Sequence, residues 1–174
     1  MSYDLYLFKP RPGIEPSITA EALFARDSDE LDKDVASPIE WHSRRAIASA
    51  LIKQNPRFDV FPSELAGALA ATEGSAMEEP AEYIELSDTE DDTGIQVSVF
   101  EEEISVTVPY WHSGEAAEAV FHKVWKYLEA IQRIAGCHTY DPQLGRLVNL
   151  NTDFNDVVSV YTSAMTQLED DIER

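Results

Sequence analysis

The stretch from Gly94 to Gly136 constrains the fold of this chain more than any other part of the sequence. Apolar residues alternate with polar ones over 95–100 and again over 104–110, and three glutamates separate the two runs. Two runs of period two around a short loop predict an antiparallel hairpin with one apolar face. That face needs a covering element, and the chain supplies one directly afterwards.

A helix is predicted over 114–135. Its apolar residues recur at alternating spacings of four and three, which places them on one helix face; they are Ala117, Phe121, Val124, Leu128, Ile131 and Ala135. Gly136 stands where a glycine commonly ends a helix. We therefore predict that the hairpin and this helix pack against each other.

The remaining segments extend this pattern. Residues 3–8 are apolar on both alternations apart from Asp4, as in a strand covered on both faces. Ser37, Pro38 and Glu40 have the spacing of a capping box, with Ser37 as the N-cap of a helix over 38–54. Thr152 is predicted to cap the last helix. The linker at 58–62 is apolar, and we expect both of its phenylalanines, Phe58 and Phe61, to lie in the core.

The sequence thus predicts a single α+β domain spanning residues 1–174. An antiparallel sheet of about four strands (3–8, 82–87, 95–100 and 104–110) is expected to pack against three main helices (38–54, 114–135 and 152–168).

Charge is unevenly distributed along the chain. The formal net charge is −20, and residues 58–122 contain sixteen acidic side chains and no lysine or arginine. Such a segment repels nucleic acid and anionic membranes and attracts basic surfaces. We therefore predict a protein partner with a basic surface, and no nucleic-acid or membrane partner. The alternative is that the acidity only keeps the protein soluble.

The sequence has few features that indicate cellular location or redox state. No basic segment precedes an apolar run near the start, so no signal peptide is expected, and no apolar stretch reaches transmembrane length. Cys137 is the single cysteine, which excludes an internal disulfide and a cysteine-rich zinc site. These features predict a cytoplasmic protein.

Motifs that would name a reaction are missing from the sequence. In the acidic turn from Asp88, the sixth position is Thr93 and the twelfth is Val99, where a calcium loop needs glycine and glutamate. No His-Glu-x-x-His occurs among the four histidines, and Cys137 follows a helix C-terminus, where the dipole does not activate a thiol. We predict no metal, no cofactor and no catalytic residue, although an enzyme without short motifs remains an alternative.

Aromatic residues lie among the carboxylates. Tyr110 and Trp111 end a predicted strand beside the acidic loop, and aromatics with carboxylates and no nearby lysine are typical of a protein-binding hot spot. The alternative is that these rings pack beneath the helices. The predicted partner-binding residues, expected on one face, are Asp88, Glu90, Asp91, Asp92, Glu101, Glu102, Glu103, Tyr110 and Trp111.

Three short segments carry a resemblance to known proteins. They are Met1-Ser2-Tyr3-Asp4-Leu5-Tyr6, Val106-Thr107-Val108-Pro109-Tyr110-Trp111 and Tyr140-Asp141-Pro142-Gln143-Leu144-Gly145-Arg146. Together they resemble a loose group of small bacterial proteins. In type, the chain is similar to the immunity proteins of bacterial polymorphic toxin and contact-dependent secretion systems. The resemblance implies a small, acidic, cytoplasmic α+β protein without an active site, and it assigns no role to any residue.

The leading functional hypothesis combines charge and resemblance. We predict a non-enzymatic binding protein that neutralises a toxin by occluding its basic cleft. The first alternative is an adaptor or regulatory module whose partner is not a toxin. The second is an enzyme, which would need a deep pocket holding histidine with aspartate or glutamate.

Overall fold

The computed structural model describes residues 1–24, 35–70, 81–89 and 93–172. The elements in chain order are β1 (Ser2–Phe8), α1 (Pro16–Phe24), α2 (Trp41–Gln54), β2 (Phe58–Phe61), α3 (Glu64–Ala70), β3 (Ile84–Asp88), β4 (Gln96–Val99), β5 (Ile104–Pro109), α4 (Gly114–Ala135), β6 (His138–Asp141), β7 (Arg146–Val148) and α5 (Phe154–Ile172). The predicted α+β class is confirmed.

All strands join one antiparallel sheet in the order β2-β3-β4-β5-β1-β6-β7. The prediction of about four strands was an undercount, because seven strands in the described residues form the sheet. The strands outside the predicted four, β2, β6 and β7, contain only three or four residues each. Alternation over so few residues is too short to separate a strand from a loop.

The predicted hairpin forms the centre of the sheet. Val97 faces Val106 and Val99 faces Ile104 across the β4–β5 pair, which places their side chains on one face. This apolar face packs against α2, α4 and α5, and the side chains between them form the main core. Helix α4 has the predicted bounds. Gly136 follows it in the left-handed region (φ 67°), and its N–H donates to the Gln132 carbonyl.

The opposite face of the sheet is covered at one side by α1. The Phe24 ring stacks on Tyr6 at 4.9 Å and on Tyr140 at 5.1 Å, and it contacts the edge of Phe8. Strand β1 is therefore covered on both faces, as predicted. Farther from α1, the outer positions of β3, β4 and β5 carry polar side chains such as Glu85 and Ser98.

The start of α2 differs from the prediction. The helix begins at Trp41 rather than at 38, with Glu40 as N-cap and without a side-chain capping bond. Ser37 instead donates from its backbone N–H to the Lys9 carbonyl, and Ile39 is buried in the core. The capping-box prediction was wrong because burial of Ile39 and pairing of Ser37 keep this segment outside the helix.

The start of α5 also differs from the prediction of 152. The helix begins at Phe154, and the Thr152 hydroxyl donates to the Asp153 carboxylate instead of capping the helix. Asp153 accepts the Asn149 N–H, and the helix starts after Asp153, one residue later than a cap at Thr152 would place it. No helix in the described ranges combines the length and the apolar character needed to cross a membrane.

The two phenylalanines of β2 have different environments. Phe58 is buried against Tyr127, with ring centroids 5.3 Å apart, whereas Phe61 is 53% exposed. The expectation that both rings lie in the core was wrong for Phe61. The linker forms strand β2, and side chains at positions of opposite parity along a strand point to opposite faces.

Candidate functional site

The predicted binding residues that the structure describes lie at two ends of the sheet. Strand β4 runs antiparallel to both β3 and β5, so Asp88 and Trp111 lie at one end and the loop at 101–103 lies at the other. Six residues of extended chain separate Gly94 from Glu101, which corresponds to roughly 20 Å. The described members of the predicted set therefore do not form one continuous face. Glu90, Asp91 and Asp92 lie outside the described residues.

At the first end, Trp111 packs over Gly94. Gly94 has φ 62°, and a Cβ at this position would overlap the Trp111 ring. His112 Nε2–H donates to the Thr93 carbonyl at 2.8 Å and holds the two segments together. Asp88 is buried, and its N–H donates to the Ile95 carbonyl. Trp111, 59% exposed, remains accessible at this end.

Tyr110 belongs to an aromatic cluster inside the protein. Its ring stacks on Tyr161 at 5.2 Å and meets the edge of Tyr3 at 6.2 Å. Burial raises the pKa of Tyr110, and the carboxylate of Asp4 adds to the effect. The Tyr161 hydroxyl accepts the His112 N–H and donates to the Pro109 carbonyl. Tyr110 therefore contributes mainly to packing.

At the second end, the β4–β5 turn presents two carboxylates. The Phe100 N–H donates to the Glu103 carbonyl at 2.9 Å, so Glu101 and Glu102 form the tip of a tight turn and are exposed. The Glu101 carbonyl accepts the Ile39 N–H at 2.6 Å. These bonds fix the backbone that carries both carboxylates.

A row of three aromatic rings lies beside this turn. Phe61 and Tyr83 have ring centroids 5.8 Å apart, and Tyr83 and Phe100 have centroids 5.4 Å apart. The rings come from the end of β2, the residue before β3 and the residue after β4, all at outer positions of the sheet. Phe61 and Phe100 are both exposed. We call Phe61, Tyr83 and Phe100 the aromatic row.

Sequence reasoning missed this row. Its members are 17 to 39 residues apart in the chain, and only the pairing of β2 with β3 and of β3 with β4 brings them together. The available signal was the spacing of two between Tyr83 and Glu85, which places both side chains on one face of a strand.

Glu85 lies next to the aromatic row. It faces Phe61 across the β2–β3 pair and Ser98 across the β3–β4 pair. Its side chain is half-buried, and its carboxylate has no hydrogen bond or ion pair with any residue in the described ranges. The carboxylate is therefore available to a cation that approaches the rings.

A cleft of about 520 Å³ continues from Phe100 toward α2. Its lining residues are Arg44, Ala81, Glu82, Phe100, Glu101, Glu102 and Glu103. Arg44 is buried, and its Nη1 donates to the carbonyls of Ala81 and Glu82 at 3.2 and 2.9 Å. Its guanidinium also lies 5.1 Å from the centre of the Trp41 ring. Arg44 thereby ties the chain that leads to Tyr83 to helix α2.

We define the acidic aromatic surface as the aromatic row with its neighbouring carboxylates; its residues are Phe61, Tyr83, Phe100, Glu82, Glu85, Glu101 and Glu102. It joins exposed apolar rings to negative charge, and every one of its residues falls in the 58–122 segment that has no lysine or arginine. This combination suits a partner surface that carries cationic side chains with apolar stems.

Buried titratable groups elsewhere contribute to structure. Tyr3 donates a hydrogen bond to Asp141, which also accepts the N–H groups of Gln143 and Leu144 and so orders the β6–β7 turn. Burial raises the pKa of Asp141 despite these bonds. Burial likewise raises the pKa of the Cys137 thiol to about 12.

Three clefts lined by described residues have no histidine in their linings. Within the same ranges, no three side chains of histidine, cysteine, aspartate or glutamate are grouped to hold a metal ion. Comparison with known proteins finds no family model, no curated protein and no solved structure that matches this chain. The acidic aromatic surface, with exposed rings beside carboxylates, is the candidate site on which a function can be argued.

Proposed function

We propose that this chain is a non-enzymatic binding protein that covers a basic surface of a protein partner with its acidic aromatic surface. Most concretely, it is an immunity protein that neutralises a bacterial toxin in the cytoplasm by occluding a basic cleft. The observation that carries the proposal is the exposed aromatic row with Glu85, Glu101 and Glu102 beside it.

The two kinds of side chain supply different parts of binding. Aromatic rings such as Phe61 and Phe100 bury large apolar areas at low entropy cost, and truncating such an anchor typically costs about 2 kcal/mol or more. Carboxylates at the rim, such as Glu101, mainly accelerate the encounter with a positive surface. A toxin that acts on nucleic acid needs a cationic cleft, because its substrate is a polyanion.

The surface is also held in place before binding. The aromatic row stands on paired strands, Arg44 anchors the chain before Tyr83, and the Ile39 N–H anchors the Glu101 turn. A preformed surface loses little conformational entropy when it binds. This favours a tight, occluding complex over a transient contact.

The test is affinity capture from a lysate of the source organism at low and at moderate salt. Three baits are compared: the unaltered protein, the double variant Phe61→Ala/Phe100→Ala, and Trp111→Ala as a matched control at the opposite end. We expect one stoichiometric basic protein on the unaltered bait and on the Trp111 control, and its loss from the double variant. That protein should poison cells when expressed alone, and co-expression of this chain should restore growth.

Other outcomes redirect the proposal. A captured partner that is harmless when expressed alone would support the adaptor alternative. Equal capture by the double variant would exclude the acidic aromatic surface as the binding site. No partner at either salt concentration would overturn the binding proposal and return the enzyme alternative to first place.

A further inference from the structure

The carboxylate of Glu85 has aromatic neighbours on three sides. Phe61 lies opposite it on β2, Tyr83 precedes it by two residues on the same face, and Phe100 lies diagonally across, directly after β4. Directly paired side chains on adjacent strands have Cβ atoms about 4.5–5.5 Å apart, and diagonal neighbours about 7–8 Å apart. All three rings are therefore close to this one carboxylate.

Such a group attracts a cation for two reasons. Aromatic faces bind cations through the ring quadrupole, and a carboxylate adds charge-assisted hydrogen bonds. The only described cation lining the adjoining cleft, Arg44, is engaged elsewhere, since it donates to the Ala81 and Glu82 carbonyls and lies over Trp41. No lysine or arginine occurs within 58–122 to neutralise Glu85 from nearby in sequence.

From this geometry we infer that Glu85 and the aromatic row form a binding site for an arginine side chain of the partner. The inference rests on the proposed function and assigns the chemistry of its central contact. The guanidinium stacks on an outward face of the aromatic row and directs its N–H groups at the Glu85 carboxylate, while the Ser98 hydroxyl opposite Glu85 offers a further acceptor.

Arginine fits this site better than lysine. The Tyr83 and Phe100 rings stack with their planes inclined by only 26°, so a planar group can extend the stack on an outward ring face. A guanidinium is planar, weakly hydrated and able to donate two parallel hydrogen bonds to one carboxylate. An ammonium is compact and strongly hydrated, and it stacks less well on rings.

The test uses blocked tripeptides as probes and isotope-labelled full-length protein observed by nuclear magnetic resonance. Gly-Arg-Gly and Gly-Lys-Gly, each capped at both ends, are titrated separately at the same low salt concentration. We expect saturable shifts from the arginine peptide at the amides of Tyr83, Glu85, Ser98 and Phe100. We expect the lysine peptide to bind several-fold more weakly.

Variants then test the individual groups. Glu85→Gln keeps the shape of the side chain and should weaken the arginine peptide about tenfold, since it removes the charge-assisted bonds. Phe100→Ala should weaken it several-fold. Glu129→Gln, on the exposed side of α4, is the matched charge control and should leave the affinity unchanged. The dispersion of each amide spectrum shows whether the variant is folded.

Two results would overturn the inference. The first is the absence of shifts at the aromatic row. The second is equal binding of both peptides with shifts spread over acidic residues in general. Failure of the proposed function is recognised separately: the arginine peptide would bind at Glu85 although no protein partner is captured. Conversely, if a captured partner binds the Glu85→Gln variant as well as the unaltered protein, the proposed function stands and the arginine site is overturned.

Discussion

Tyr83 and Phe100 stack across the outer face of the β3–β4 pair, with ring centroids 5.4 Å apart and planes inclined by 26°. Neither residue lies within a strand, since Tyr83 immediately precedes β3 and Phe100 immediately follows β4. The two rings therefore lie one residue pair beyond the last paired residues of β3 and β4. Because Tyr83 is held by this stack, the exposed Phe61 ring packs beside a ring whose position is fixed.

Charge reversal at the β4–β5 turn should slow association with a basic partner. Glu101→Lys/Glu102→Lys removes negative charge from the exposed tip, so we expect the association rate constant to fall about tenfold at low salt. Its dependence on salt should also become weaker. The association rate constant and its salt dependence can be measured by binding to the immobilised partner and by stopped-flow mixing. Glu115→Lys/Glu118→Lys, exposed on α4, provides the control with equal charge change, and equal slowing there would mean that only net charge matters.

Leu128→Asp should unfold the protein. Leu128 is fully buried on the face of α4 that packs against the sheet, and an unpaired carboxylate there loses its hydration without a partner. We expect a loss of about 4 kcal/mol or more in the free energy of unfolding, which is comparable to the whole stability of many domains. Urea denaturation followed by circular dichroism measures this loss. Glu129→Asp, at the adjacent exposed position, should change it little.

Gly94→Ala should destabilise the first end of the sheet. Gly94 has φ 62°, and an added Cβ would overlap the Trp111 ring, so both backbone strain and a clash oppose alanine. We expect a loss of about 1–3 kcal/mol in unfolding free energy. Trp111→Ala in the same chain should recover part of it by removing the clash. Gly67→Ala is the matched control, because nothing lies near its Cβ position within α3, and it should be neutral or stabilising.

The Cys137 thiol should react very slowly in the folded protein. Burial raises its pKa to about 12, so at pH 8 about one molecule in ten thousand carries the reactive thiolate. Alkylation or disulfide exchange should proceed at an ordinary rate only after denaturation. Ser163→Cys, on the exposed side of α5, supplies an accessible thiol in the same chain for comparison. Rapid modification of Cys137 under native conditions would contradict its burial.

Acid should weaken the turn before α5. Asp153 accepts hydrogen bonds from the Asn149 N–H, from Arg146 and from Thr152, and these lower its pKa to about 2. A group whose pKa is depressed on folding contributes stability above its unfolded pKa, near 4, and loses it as pH falls toward about 2. Urea denaturation between pH 6 and pH 2 should show this loss, and Asp153→Asn should remove that component. Asp156→Asn, which alters the neighbouring ion pair with Arg146, serves as the comparison.

The parts of the fold that follow from local periodicity could be predicted from sequence. The alternation around Val97 and Val106 and the stripe through Leu128 gave the central hairpin and α4, because each pattern is long enough to be distinctive. Strand β2 could not be recognised over four residues. Ser37 was misread because a local capping pattern was outweighed by burial of Ile39 and by pairing with Lys9.

The candidate site was predictable only in part. The exposed turn at Glu101 and Glu102 was anticipated from its position between two strands. The sequence predicted Tyr110 and Trp111, which are near in the chain, as its aromatic neighbours. The sheet places those residues at the opposite end. The pairing of β2 with β3 brings Phe61 to the site, and no local pattern encodes that pairing.

The distribution of tryptophans gives the protein an optical sensor and a reference in one chain. Trp41 lies beneath Arg44, which lines the cleft beside the aromatic row, so its emission should respond when that cleft is filled. Trp111 lies at the opposite end of β4 and is exposed to solvent. The buried Trp125 emits in every variant, so comparing titrations of Trp111→Phe and Trp41→Phe would reveal, without any attached dye, which end of the molecule a ligand occupies.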